Sequence, residues 1–254
     1  MTPSFVPSPL PGRPRGVFGL LGDTLRRPGG RRGISGLTVV LLVAGIGMFA
    51  WPLYTDWLAH NRQGQLRSQF TSPSYVQEYL TGHIQVGQGL TELQIPSLNV
   101  DVLVVQGTTL AALRAGAGHY VDTPLPGAKG NVGIAGHRTT FGRPFNRLDE
   151  LKPGQVVYLI TPFGKFTYSV VPGSEVQDPS DQPDLNGDFH ANPWIVDPNN
   201  YRVVAQTGIL GAGHWLTLTT CNPKGSAAQR LILRLVLTHT EVLRPAPQPT
   251  GTGH

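Results

Sequence analysis

The chain has 254 residues, 39% of them hydrophobic, with 32 Gly, 23 Pro, one Cys and only 14% charged side chains. That length holds one ordinary domain with extra segments, or two small domains. A lone Cys excludes an internal disulfide framework and a Cys-only zinc site. The formal charge of +5 lies entirely in residues 1–32, where six Arg accompany a single acid, and the remaining residues balance at 14 basic and 14 acidic side chains. A nucleic-acid-binding domain carries its basic excess on the folded surface, where it can neutralise phosphates, so no nucleic-acid partner is expected.

Taken in chain order, residues 1–32 form a Pro/Gly/Arg-rich tail containing Pro3, Pro7, Pro9, Pro11, Pro14 and Pro28; such composition predicts a disordered basic segment. Gly33–Thr55 then runs 23 residues without a charge and ends among Trp51, Tyr54 and Trp57. A hydrocarbon core of about 30 Å needs roughly 20 apolar residues, and amphipathic rings collect at its interface. Residues 33–58 therefore read as a single-pass transmembrane anchor. A cleaved signal peptide has a shorter apolar region and a small-x-small cleavage site, and the sequence WPLYTDW that ends this run offers none. Four Arg precede the span closely and only Arg62 and Arg67 follow it; the positive-inside bias puts the N-terminus in the cytoplasm and the rest of the chain outside the cell membrane.

Residues 59–82 read as a polar stalk, in part helical, and residues 244–254 as a flexible C-terminal tail, leaving 83–243 as one extracytoplasmic domain. There, short apolar stretches alternate with Gly/Pro/Asn/Asp punctuation. Strands are expected at Gly89–Ile95, Val100–Val105, Asn131–Ala135, Gln155–Thr161, Lys165–Val171, His214–Cys221 and Arg230–Thr240, with a hairpin through Thr161–Lys165. Short helices are expected at Thr109–Ala115 and Pro144–Asp149, and a long irregular insertion at Val176–Asn200. The fold class is all-β with short helices, a closed or nearly closed β-barrel.

Two stretches carry chemistry. In NVGIAGHRTTFGRPFNRLDEL, His137 follows a strand and enters a polar, glycine-containing loop. In HWLTLTTCNPKGSAAQRLILRLVL, alternation sets Leu216 and Leu218 against Thr217, Thr219 and Cys221, and Leu231, Leu233, Leu235 and Leu237 against Arg230 and Arg234. The leucines can fill a barrel while Cys221 and Arg230 meet side by side on an outer groove. A thiolate is a strong nucleophile, a histidine can hold or supply its proton, and a guanidinium can stabilise the oxyanion formed on an attacked carbonyl. A buried, inert thiol is the plain alternative for Cys221. Arg234 rivals Arg230 for the arginine role, with an exposed strand arginine as its plain reading.

The combination TLTTC at 217–221, Arg230 nine residues later and Gly-His-Arg at 136–138 strongly resembles the sortases. That resemblance implies an eight-stranded β-barrel behind one transmembrane helix, acting as a cysteine transpeptidase at the Gram-positive cell wall. It implies that Cys221 attacks the Thr carbonyl of a C-terminal sorting signal, that Arg230 holds that carbonyl or its oxyanion, and that His137 protonates the departing Gly amine. Thr220 would position substrate. The proline-rich tail, HYVDTPLPG at 119–127 and the GHRTTFGRPFNRLDEL form are similar to class E sortases, which are associated with Leu-Ala-x-Thr-Gly rather than Leu-Pro-x-Thr-Gly signals. In that class Tyr120 matches a tyrosine linked to the Ala preference; a plain core or rim tyrosine is the alternative. The partners so implied are secreted proteins bearing a sorting signal, a peptidoglycan precursor amine and the membrane.

No cofactor and no metal are expected. The histidines show no metal-ligand spacing, and His119 and His214 read as surface or rim residues. Asp178, Asp181, Asp184 and Asp188 form the one acidic loop that could take calcium, with a solvated loop as the simpler reading. Two rival functions are a catalytically inactive wall-peptide binding module and another cell-wall cysteine peptidase.

Overall fold

The computed structural model describes residues 28–70, 72–80, 83–173, 192–206 and 208–243. The chain divides at Trp51/Pro52 into two units. The first holds most of the apolar part of helix α1 (Pro28–Phe70), in which Leu37, Val40, Leu42, Ile46 and Phe49 are all exposed. An 18-residue window of this helix reaches a mean hydropathy of 2.0 with none of it buried, so by length and composition it can cross a membrane.

Among the described residues the second unit contains nine strands: β1 (Gly89–Ile95), β2 (Val100–Gln106), β3 (Ala117–His119), β4 (Gly130–Gly136), β5 (Val156–Ile160), β6 (Gly164–Val170), β7 (Trp194–Val196), β8 (His214–Asn222) and β9 (Gln229–Val242). Their order is β6-β5-β1-β2-β3-β4-β8-β9, and β9 pairs back onto β6, which closes an eight-stranded barrel. Closure is possible because β9 is 14 residues long. Its first residues, Arg230–Ile232, pair with the short β7, while Leu235–Val242 pair with β6.

Period-2 alternation decides what fills the barrel. Leu93 and Ile95 of β1, Val102 and Val104 of β2, Val132 and Ile134 of β4, Leu216 and Leu218 of β8, and Leu231, Leu233 and Leu235 of β9 form one buried cluster. Strand β2 is apolar on both faces because both are covered. Its other face, Leu103 and Val105, packs under Leu66 and Phe70 of α1 together with Ala112 and Ala115. A third cluster, Val171, Trp194, Val196, Val203 and Ile232, lies outside the barrel wall on β9.

The seven expected strands all form, with boundaries shifted by a residue or two. Two short strands carried no sequence signal: β3 is Ala-Gly-His, and β7 lies inside the stretch read as an irregular insertion. Residues 174–191 of that stretch lie outside the described residues. Thr109 caps helix α3 (Leu110–Leu113) by accepting from the Ala112 N–H at 3.2 Å. The helix expected at Pro144–Asp149 is only a 3₁₀ turn, Leu148–Glu150. Where a polar stalk was expected, α1 continues to Phe70 and helix α2 spans Pro73–Leu80. Ala59, Leu66 and Tyr75 of this stretch are buried.

Candidate active site

Strands β8 and β9 pair antiparallel with Thr217 opposite Arg234, Thr219 opposite Ile232, and Cys221 opposite Arg230. These residues share the outer face, because the leucines that alternate with them face the core. The middle of that face is roofed by β7 and by the 3₁₀ turn Tyr201–Val204. Arg234 lies beneath this roof, fully buried, its guanidinium 4.8 Å from the Trp194 ring centroid, with Nη2 donating to the Val203 carbonyl at 3.1 Å. The expectation of an exposed strand arginine is therefore corrected: the roof over β8–β9 encloses this side chain and removes it from contact with a substrate. Cys221 and Arg230 lie at the strand end beyond Arg234, where Arg230 pairs with Val196 of β7, and both are half-buried. Arg230 donates through Nη1 to the carbonyls of Ala227 and Gln229, each at 2.9 Å.

His137 reaches the same end through β4. Strands β4 and β8 run parallel, with Ala135 beside Thr219. One step further, the Thr220 hydroxyl donates to the Gly136 carbonyl at 2.8 Å. Two steps further stand His137, just past the end of β4, and Cys221, still paired in β8. The His137 N–H donates to Gly116 O, and its carbonyl accepts from Phe145 N. Its ring packs against Phe141 with centroids 4.9 Å apart. Burial lowers the His137 imidazole from its ordinary value, which favours the neutral ring. Gly136 admits this arrangement because a Cβ there would come within 2.4 Å of the Phe145 ring.

Arg138 ties the two chains together. It is 5% exposed, pairs through Nη2 with Asp149 at 3.1 Å, and donates through Nη1 to the Cys221 carbonyl at 3.2 Å and to Asn222 Oδ1 at 2.6 Å. Asn222 in turn donates to Gln229 Oε1, joining the ends of β8 and β9. One guanidinium thus spans the histidine loop and the cysteine strand.

Tyr120 borders the group from the β3–β4 connection. Its hydroxyl shares a 3.0 Å hydrogen bond with that of Thr219, two residues before Cys221. Burial pushes its phenol up, partly offset by the Thr219 hydroxyl and the Arg230 charge. A Cβ on Gly133 would sit 2.9 Å from this ring, so the glycine lets Tyr120 lie against β4.

Residues 93–238 match the Sortase domain family model, more than half of the chain. The chain belongs to the sortase family. Among relatives, Sortase SrtE1 of Streptomyces coelicolor is 31% identical over 205 residues, covering 76% of this chain and 54% of that protein. Sortase SrtE2 of the same organism is 26% identical over 238 residues, covering 85% of this chain and 87% of that one. Among solved structures, the SrtF sortase from Corynebacterium diphtheriae superposes with a TM-score of 0.54 at 28% identity, covering 66% of this chain and 93% of that one. The domain is thus a sortase-type transpeptidase domain, and the similarity to class E drawn from the sequence agrees with the two Streptomyces relatives.

Within this sortase, His137, Cys221, Arg230 and Tyr120 converge on one end of the β4–β8–β9 sheet. Thr220 does not face the groove: it lies on the side of Leu216 and Leu218, is buried, and its hydroxyl is bonded to Gly136. The alternation that exposes Cys221 turns its neighbour inward. His119, expected at the surface or rim, is fully buried, with Nδ1 2.8 Å from Gln106 Oε1 and Nε2 3.0 Å from Pro124 O and from the Thr123 hydroxyl. Its strand β3 lies between β2 and β4, which covers it. Sequence reasoning missed Thr219, Arg138 and Phe141 as parts of the site. Thr219 could have been found, since it shares the face of Cys221. Among the described residues no group of three or more metal-ligating side chains forms. The Asp178–Asp188 loop lies outside them.

Proposed function

We propose that this sortase is a membrane-anchored cysteine transpeptidase that cleaves a sorting signal of Leu-Ala-x-Thr-Gly or Leu-Pro-x-Thr-Gly type between Thr and Gly. It then transfers the acyl part to a cell-wall amine. The observation that carries this reading is the direct pairing of Cys221 with Arg230 at the strand end that His137 also reaches. His137, its neutral form favoured by burial, takes the thiol proton as Cys221 Sγ adds to the Thr carbonyl. Arg230 balances the negative oxygen of the tetrahedral intermediate. The Thr–Gly bond then breaks, His137 protonates the Gly amine, and a thioester to Cys221 remains. An incoming amine attacks that thioester, gives its proton to His137, and the thiolate leaves.

Tyr120 flanks the nucleophile and is the candidate for sensing the Ala or Pro of the signal. Thr220 contributes by holding β8 to Gly136 beside the nucleophile. The exposed apolar helix supports anchoring, and the arginines before it support a cytoplasmic N-terminus with the barrel outside. The test is intact-mass spectrometry of the full chain in detergent after mixing with a sorting-signal peptide. An adduct of the peptide's acyl part on the protein, lost in Cys221→Ala, supports the reading; its absence in the wild type overturns it.

A further inference from the structure

The loop that carries His137 is fastened to the helix that leads out of the apolar span. Asp56 of α1, inside the 33–58 range read as the anchor but just past its uncharged run, which ends at Thr55, uses both carboxylate oxygens on it: Oδ1 accepts the Gly142 N–H at 2.9 Å, and Oδ2 pairs with Arg143 Nη2 at 2.8 Å. Phe141, Gly142 and Arg143 have φ values of 51°, 76° and 50°, three left-handed residues in a row. For a phenylalanine and an arginine this region is strained, and it persists where surrounding contacts over-determine it. Phe141 is the residue whose ring packs on His137.

Asp56 is itself held in place by the barrel. About two turns along the same helix, Gln63 Nε2 donates to the carbonyls of Leu103 at 2.8 Å and Ala115 at 2.7 Å, and its Oε1 accepts the Leu103 N–H at 2.8 Å. Leu66 is buried against Leu103 and Val105 of β2. A rigid path therefore runs from β2 through α1 to Asp56, to the 141–143 turn, to Phe141 and to His137.

We propose that Asp56 is a positioning residue for transpeptidation, fixing the Phe141–Arg143 turn and through Phe141 the orientation of the His137 ring. The inference rests on the proton-carrying role proposed for His137. The helix leaving the span is thereby part of the scaffold of the active site.

The test measures kcat and KM on a sorting-signal peptide for the full chain in detergent. Asp56→Ala is expected to lower kcat about tenfold with KM within twofold. Asp56→Asn keeps an acceptor for the Gly142 N–H and is expected to recover most of that loss. Phe141→Leu leaves the clamp intact and is expected to lower kcat to a similar degree, which keeps the inference testable should Asp56→Ala fail to fold by circular dichroism. Wild-type kcat in a folded Asp56→Ala, wild-type kcat in Phe141→Leu, or an effect confined to KM, overturns the positioning role while the proposed function stands. Wild-type kcat in His137→Ala overturns the proposed function itself.

Discussion

Cys221 and Arg230 are directly opposed residues of the antiparallel β8–β9 ladder, at the end of the outer face that continues inward to Ile232 and to the buried Arg234. The same face thus presents two arginines with opposite fates, and the roof formed by Trp194, Val196 and Val203 separates them. Arg230→Lys is expected to lower kcat/KM by about 10²–10³-fold with little change in melting temperature, because a point-charge ammonium does not reproduce a fixed guanidinium at a developing oxyanion. Arg234→Ala is expected to do the reverse. It should cost about 3 kcal/mol of stability by removing a buried cation from its stacked and hydrogen-bonded site, while the folded fraction keeps its kcat. Urea unfolding and steady-state kinetics on both variants separate the two, and equal kinetic losses would contradict the assignment.

Arg138 makes a different prediction. It is almost fully buried and serves Asp149, the Cys221 carbonyl and Asn222 at once. Arg138→Leu should destabilise the domain by about 2–3 kcal/mol, the cost of leaving buried acceptors without a donor. It should also slow acyl transfer by loosening the spacing between His137 and Cys221. Arg138→Lys should rescue little, since one ammonium cannot span three acceptors. A lysine variant with wild-type unfolding midpoint and rate would refute this.

Stability should fall in mild acid through His119. Burial lowers its imidazole to about 4, against an ordinary value near 6.5. Between those values the unfolded chain binds a proton that the folded chain does not, so stability declines as pH drops through this window. The contribution is fully present above about pH 6.5 and is lost by about pH 4, up to about 3 kcal/mol in all. His119→Gln should flatten the dependence of the urea midpoint on pH between 6.5 and 4. An unchanged slope in that variant would place the effect elsewhere.

Gly133 and Tyr120 test the specificity reading. Gly133→Ala places a Cβ 2.9 Å from the Tyr120 ring, which must then shift. Tyr120→Phe removes only the hydrogen bond to Thr219. Both variants should change the ratio of kcat/KM for Leu-Ala-x-Thr-Gly over Leu-Pro-x-Thr-Gly peptides, Gly133→Ala by about tenfold and Tyr120→Phe by a few-fold, consistent with one lost hydrogen bond of about 1 kcal/mol. An unaltered ratio in both would remove Tyr120 from substrate selection.

Alternation in the sequence was enough to read the two catalytic-end strands, because each sets a run of alternate leucines against a face that carries its polar residues, Thr217, Thr219 and Cys221 on β8 and Arg230 and Arg234 on β9. It also gave the Cys221–Arg230 pairing, which follows once the loop between them is taken as a turn. Strands β3 and β7 escaped because three residues carry no period, and two of the three in β3 are glycine and histidine rather than large apolar residues. The burial of Arg234 and His119 was illegible for a related reason: each is enclosed by contacts that alternation does not encode, the β7 roof in one case and Gln106, Thr123 and Pro124 in the other. Thr220 shows the limit of motif-based assignment, since adjacency to the nucleophile in sequence puts it on the opposite face. The Asp56 clamp is likewise invisible before folding, as it joins residues 86 apart.

The most direct test of the central claim follows acyl transfer itself. The full chain in detergent is mixed with a sorting-signal peptide and a glycine amine donor, and the products of wild type, Cys221→Ala and His137→Ala are read by mass spectrometry. The account predicts cleavage between Thr and Gly with the acyl fragment joined to the donor in the wild type, and neither cleavage nor transfer in the two variants. Transfer that survives in Cys221→Ala would contradict it.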